Sequence, residues 1–173
     1  MKKLFVYFDG KARGEPGEAG IGIAITDKDG KVLEEASRLV GRLTSEAVEY
    51  HALIEAANLA LAYEPESVIF FTESQRLANY INGVFETRAP HTKHLIELAI
   101  GSLNRLPSWR VNYVDRHANY RAPRLVERAF HQNAKEQINR DRLELVLQAR
   151  AASLSEDGLR KLVDYAERLQ EER

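Results

Sequence analysis

Apolar side chains alternate from Lys3 to Asp9: Leu4, Val6 and Phe8 share one face of a strand by the two-residue period, and Phe5, Tyr7 and Asp9 share the other. The same reading predicts strands at 20–27 and 31–41, separated by Asp27-Lys28-Asp29-Gly30, whose Asp-Gly pair marks a hairpin. Together they make a three-stranded antiparallel meander. Ser45 to Ala62 reads as a helix, with Val48, Ala52, Ile54, Leu59 and Leu61 at small or apolar positions, no Gly or Pro inside, and Pro65 closing it. Residues 67–72 form a short continuous apolar run of the kind found in a parallel strand buried on both faces, with Glu73 at its carboxyl end. Helices are expected over 74–81, stopped by Asn82-Gly83, and over 94–106, ended by Pro107. A fifth strand at 109–114, a loop at 115–122 and a helix beginning near Pro123 complete the pattern. Three antiparallel strands followed by alternating helices and strands predict an α/β protein: a mixed sheet flanked by helices.

Beyond Ala134 the apolar positions thin to Ile138, Leu145 and Ala149, and Ser153 to Glu156 fits a capping box. A last helix then carries Leu159, Leu162, Val163, Ala166 and Leu169 on one stripe. A single helix from Pro123 to Arg150 would run about 42 Å at 1.5 Å per residue, so a break is expected near Asn139-Arg140-Asp141. The stripe needs a cover, either this sheet or a second copy of the chain, which makes a homodimer an open alternative.

The 173 residues, 44% hydrophobic and 29% charged, suit one soluble globular domain with a proper core. No apolar run approaches a membrane span, so no membrane partner is expected. Met1-Lys2-Lys3 leads directly into a strand pattern without a secretory signal, and a cytoplasmic location is expected. The absence of cysteine excludes disulfides and thiolate metal sites. With 25 basic and 26 acidic side chains the chain as a whole does not attract nucleic acid, so local patches must carry any such binding. The most basic segment lies between Arg105 and Arg128, with six arginines against Asp115 and Glu127. It reads either as a solvated helix end plus loop or as a binding patch.

Asp9 is the first candidate for chemistry. A carboxylate on a buried strand needs a partner, a metal or a raised pKa; the alternative is a turn former, since Asp9-Gly10 is hairpin chemistry. The run from Asp9 to Gly22, D-G-x-x-x-G-x-P-G-x-A-G-x-G, resembles the first hairpin of type 1 ribonuclease H and its reverse-transcriptase-like relatives. Three further segments line up in order. Thr44 to Ala56 is similar to the family's T-N-N-x-A-E-Y-x-A-L-I-E helix, Phe71 to Gly83 resembles its T-D-S-Q segment, and Val114 to Leu125 resembles its V-x-x-x-x-N-x-x-A-D-x-L. The resemblance covers residues 3 to about 134. It implies a ribonuclease H-like domain over 1–134 with a five-stranded mixed sheet, three antiparallel strands and then two parallel, and a C-terminal helical extension over 135–173.

By the same resemblance Asp9, Glu49 and Glu73 are metal ligands and catalytic residues, and His117 is a mobile loop histidine that handles protons or product. The implied cofactor is Mg2+ or Mn2+. Two hard cations about 4 Å apart clamp a phosphodiester and activate water, and clustered carboxylates hold them. The chain departs from the pattern at several places. Glu73 stands where the family has Asp, and Pro123 stands where the family has its last catalytic aspartate. Asp115 or Glu127 is the candidate substitute ligand. Glu15 and Glu46 replace two asparagines that contact the hybrid in the family, while Asn119 matches the family's motif and is expected to face the substrate. Carboxylates beside a polyanion repel it, and the contacts that read the RNA 2′-OH are lost. Three functions are therefore weighed. The first is a divergent ribonuclease H-like protein with absent or strongly reduced hydrolysis, a binding or assembly module for hybrid or single strands that uses no cofactor. The second is an active metal-dependent ribonuclease H with a rearranged site. The third is a dimerisation or protein-interaction module using the C-terminal helices.

Overall fold

The structure is a computed structural model and describes residues 2–171. Its centre is one five-stranded sheet in the order β3-β2-β1-β4-β5. β1 (Lys3–Gly14), β2 (Gly17–Thr26) and β3 (Val32–Leu43) form the antiparallel meander. β4 (Ser67–Thr72) runs parallel to β1, and β5 (Trp109–Tyr113) parallel to β4. The helices are α1 (Ser45–Leu61), α2 (Gln75–Ile81), α3 (Pro90–Leu103), α4 (Arg121–Ala152) and α5 (Glu156–Glu171). The ribonuclease H-like sheet expected from the sequence is the sheet observed.

Several boundaries differ from expectation. The first hairpin is longer, and it turns at Glu15-Pro16, where Gly14 pairs with Gly17. Asp9 is therefore no turn former: it lies within the ladder opposite Gly22. Residues 10–14, outside the expected strands, pair with β2 through their backbones, while the Lys11 and Arg13 side chains reach outward to Glu127. α3 starts at Pro90 and not at His94, with the proline in the first turn where a missing N–H is harmless. In β4 only one face is wholly buried, Val68, Phe70 and Thr72. On the other, Phe71 stacks on Tyr7 at 4.8 Å and faces Phe5 at 6.1 Å, so aromatic contact covers it. The expected break at 139–141 is absent, because α4 contains neither Gly nor Pro after Pro123.

Leu4, Val6 and Phe8 of β1, Ile21, Ile23 and Ile25 of β2, and Val68 and Phe70 of β4 join the small inner face of α1 in one buried cluster. That face is Val48, Ala52, Ala56, Ala57 and Ala60, and alanines let the helix lie close to the sheet. The N-terminus of α1 is capped by Thr44, whose hydroxyl accepts from Ala47 N at 3.1 Å.

The chain divides into two compact units, Met1–Gln132 and Asn133–Arg173, with α4 running through the boundary. The first holds the sheet and its core. In the second, the distal half of α4 and α5 both leave large apolar side chains in solvent. Among the described residues no helix is long and apolar enough to cross a membrane.

Candidate functional site

Two close backbone approaches set the site. A Cβ at Gly10 would stand 2.6 Å from the carbonyl oxygen of Val48, so only glycine lets α1 rest against β1 here. This puts Glu49, the next residue of α1, beside Asp9. On the opposite face a Cβ at Gly22 would meet the Ala122 carbonyl oxygen at 2.2 Å, so the first turn of α4 presses on β2 beside the strand position of Asp9. Parallel pairing of β1 with β4 ends at Tyr7 and Phe71, and β4 closes at Thr72, so Glu73 emerges at the same edge.

Asp9, Glu49 and Glu73 thus line one cleft of about 90 Å3, together with Phe8, Gly10, Thr72 and Ser74. Burial pushes the Asp9 carboxyl up to about 6, and the charges of Glu73 and Glu49 add to the rise against the Gly10 N–H and Lys11. Glu49 is also raised, chiefly by burial, although the Ser74 hydroxyl donates to its Oε2 at 2.8 Å and Arg76 opposes the shift. Glu73 Oε1 is buried and has no hydrogen-bond partner. Three hard oxygen donors, one of them holding an orphaned buried oxygen and two of them disfavouring their own charge, match the needs of a hard divalent cation. As the side chains stand, no group of three or more His, Asp or Glu among the described residues is set to hold a metal ion.

The remaining predicted residues lie elsewhere or are otherwise engaged. Pro123 sits in the first turn of α4, one residue from the close contact with Gly22. Glu127, four residues on, accepts from Lys11 Nζ at 3.0 Å and from Arg13 Nη2 at 3.0 Å. The Lys11 hydrogen bond and the charges of both cations hold it below the usual carboxylate range. Asp115 turns back into its own loop, accepting from His117 N at 2.9 Å and Ala118 N at 3.0 Å. His117 is exposed in that loop, and neither it nor Asp115 lines the cleft.

The substrate-facing assignments fare unevenly. Asn119 is fully buried and faces no solvent: its Nδ2 donates to the Phe8 carbonyl at 3.2 Å, tying the loop before α4 to β1, and its Oδ1 has no partner. Glu15 receives the Ser45 N–H at 3.1 Å on each carboxylate oxygen, and Ser45 holds its carboxyl below the ordinary value. Glu46 accepts from Thr92 Oγ1 at 3.2 Å and pairs with Arg76 at 3.4 Å. Both acids are turned to the chain itself. The basic segment is partly matched as well, with Arg121 and Arg128 sharing Glu35 at 3.9 and 3.8 Å. Sequence reasoning missed Ser74. It caps α2 by accepting from Leu77 N at 3.3 Å while donating to Glu49, and the serine just before a helical pattern was the available signal.

The sheet order and the three-acid cleft at the β1–β4 edge define a ribonuclease H-like protein. The family model described as reverse transcriptase-like matches residues 7–129, and the chain belongs to that family. Ribonuclease HI of Halobacterium salinarum is 30% identical over 128 residues, which cover 74% of this chain and 64% of that protein. A bifunctional protein of Mycobacterium tuberculosis is 26% identical over 129 residues, covering 74% of this chain and 35% of its own length. The chain thus spans under two thirds of these relatives. The solved RNase H1 of Halobacterium salinarum superposes with a TM-score of 0.72 at 29% identity, covering 75% of this chain and 98% of that one. LC11-RNase H1, solved in complex with an RNA/DNA hybrid, gives 0.70 at 31% identity, covering 76% and 99%.

Proposed function

We propose that this chain is a nucleic-acid-binding ribonuclease H-like protein whose hydrolysis of RNA in RNA/DNA hybrids is absent or strongly reduced. The observation that carries the reading is that, among the described residues, only three carboxylates line the cleft. Pro123 offers no ligand, Glu127 is clasped by Lys11 and Arg13, and Asp115 is spent on its own loop. Asp9, Glu49 and Glu73 would hold one hard divalent cation, Mg2+ or Mn2+, which when bound polarises a phosphodiester oxygen and acidifies water. Ser74 orients Glu49 for that role, and the added methylene of Glu73 shifts its carboxylate by more than the roughly 0.5 Å that preorganised sites tolerate. Hybrid as the ligand is supported by the complex of LC11-RNase H1. Glu15 and Glu46, already satisfied within the chain, offer a hybrid neither donors nor positive charge.

The test is a hybrid-cleavage assay with Mg2+ and with Mn2+ on the wild type, Asp9→Ala and the double variant Glu73→Asp/Pro123→Asp. The wild type is expected to cleave at background. The double variant should exceed it by about 10²-fold, the scale of a misplacement near 1 Å undone. Wild-type cleavage that Asp9→Ala abolishes would instead establish an active enzyme with a rearranged site.

A further inference from the structure

We propose that the unit Asn133–Arg173 is a pairing surface for a second copy of this chain, each α5 covering the distal half of the partner's α4. Ten of the sixteen exposed large hydrophobic side chains among the described residues fall in this unit, although it holds only the last 41 positions of the chain. The apolar surface is ordered along α5. Leu159, Leu162 and Ala166 follow one another at three- and four-residue steps, the spacing of a helix-to-helix seam. The ion pairs Arg160–Glu156 and Lys161–Asp157, at 2.9 and 2.8 Å, sit on the other side of the helix. On α4, Ile138 and Leu145 are 66% and 67% exposed and lie two turns apart on one line.

Size argues for a partner. A unit of about 40 residues cannot close a core alone and is normally completed by disulfides, metal or oligomerisation. The chain has no cysteine, and among the described residues no cluster is set to hold a metal. Charge argues for self-pairing. α5 has five acids against three bases, whereas positions 133–152 of α4 have four bases against three acids, so the two helices attract across a two-fold axis. Area fixes the strength. With Leu143, Leu147 and Tyr165 off the two seams, about 50 Å2 of newly covered apolar surface for each of the other seven side chains is roughly 350 Å2 per copy and about 700 Å2 per pair, the size of a weak, transient contact. The association should therefore be a reversible one in the micromolar range.

Sedimentation velocity of the full chain from about 1 to 100 μM tests this. The wild type is expected to move from the 19.7 kDa monomer toward twice that mass. Leu159→Glu/Leu162→Glu should weaken dimerisation by about thirty-fold or more, the scale of a lost apolar anchor. Asp157→Ala/Lys161→Ala, which removes one acid and one base on the opposite side of α5, should leave it unchanged. Trp109 fluorescence confirms that the sheet is intact in each variant. A wild type that stays monomeric throughout overturns the proposal, since the stripe is then covered within its own chain or by another protein. Equal weakening by both variants, or by neither, overturns it too. None of these outcomes depends on hybrid cleavage.

Discussion

The Asp9 carboxyl, pushed up to about 6 from an ordinary 3.8, makes the cleft a source of pH dependence. Between about pH 4 and pH 6 the folded chain holds this proton more tightly than the unfolded chain. Stability therefore falls as pH rises through that window, and the whole penalty is present above it. With allowance for partial exposure it amounts to about 2 kcal/mol. Asp9→Asn removes the penalty, so the variant should be more stable than the wild type near pH 7 and lose its advantage below about pH 4. Urea denaturation of both proteins across that range, without divalent metal, measures the difference. A constant difference would mean that burial at Asp9 has been misjudged. At this scale the sequence was readable where strand face put Asp9 at a buried strand end and the family resemblance set Glu49 and Glu73 beside it: the three line one cleft. It was not readable where the role depends on which partner arrives. Glu127 meets Lys11 and Arg13, and Asn119 meets a carbonyl in the core, and neither pairing leaves a trace in spacing.

Among elements, the glycines separate contact from propensity. Gly22→Ala would drive a methyl into the Ala122 carbonyl and the Leu125 Cβ, 2.2 and 2.7 Å away, where backbone must yield. A loss of about 1–3 kcal/mol or more is expected, as for other overpacked interiors. Gly101, in α3 with nothing within 4 Å of its notional Cβ, should behave oppositely. Gly101→Ala is expected to stabilise by about 0.5–1 kcal/mol through helix propensity. Chemical denaturation of the pair checks both signs. The elements themselves were legible wherever one period dominated: α1, β4 and the start of β5 fall within a residue or two of expectation. The first hairpin was not, because its Gly and Pro positions read as a turn directly after Asp9, while the backbones of residues 10–14 pair with β2. The unbroken α4 was not either. The length argument presumed a single compact body, and the chain forms two.

For the whole molecule, two compact units imply two transitions. Trp109, the only tryptophan, reports on β5 and hence on the sheet-bearing unit, whereas ellipticity at 222 nm also counts the helices of the second unit. In a urea titration at low protein concentration the ellipticity should begin to fall before the fluorescence changes. Coincident curves would show one cooperative body. The frame around the cleft belongs to the first unit and owes little to side chains. Because Gly10 brings main chain against main chain, the spacing of Asp9 and Glu49 is inherited from two backbones, which substitution elsewhere barely erodes. If hydrolysis has lapsed as proposed, reinstating it needs an exchange of ligands and no rebuilding of the architecture.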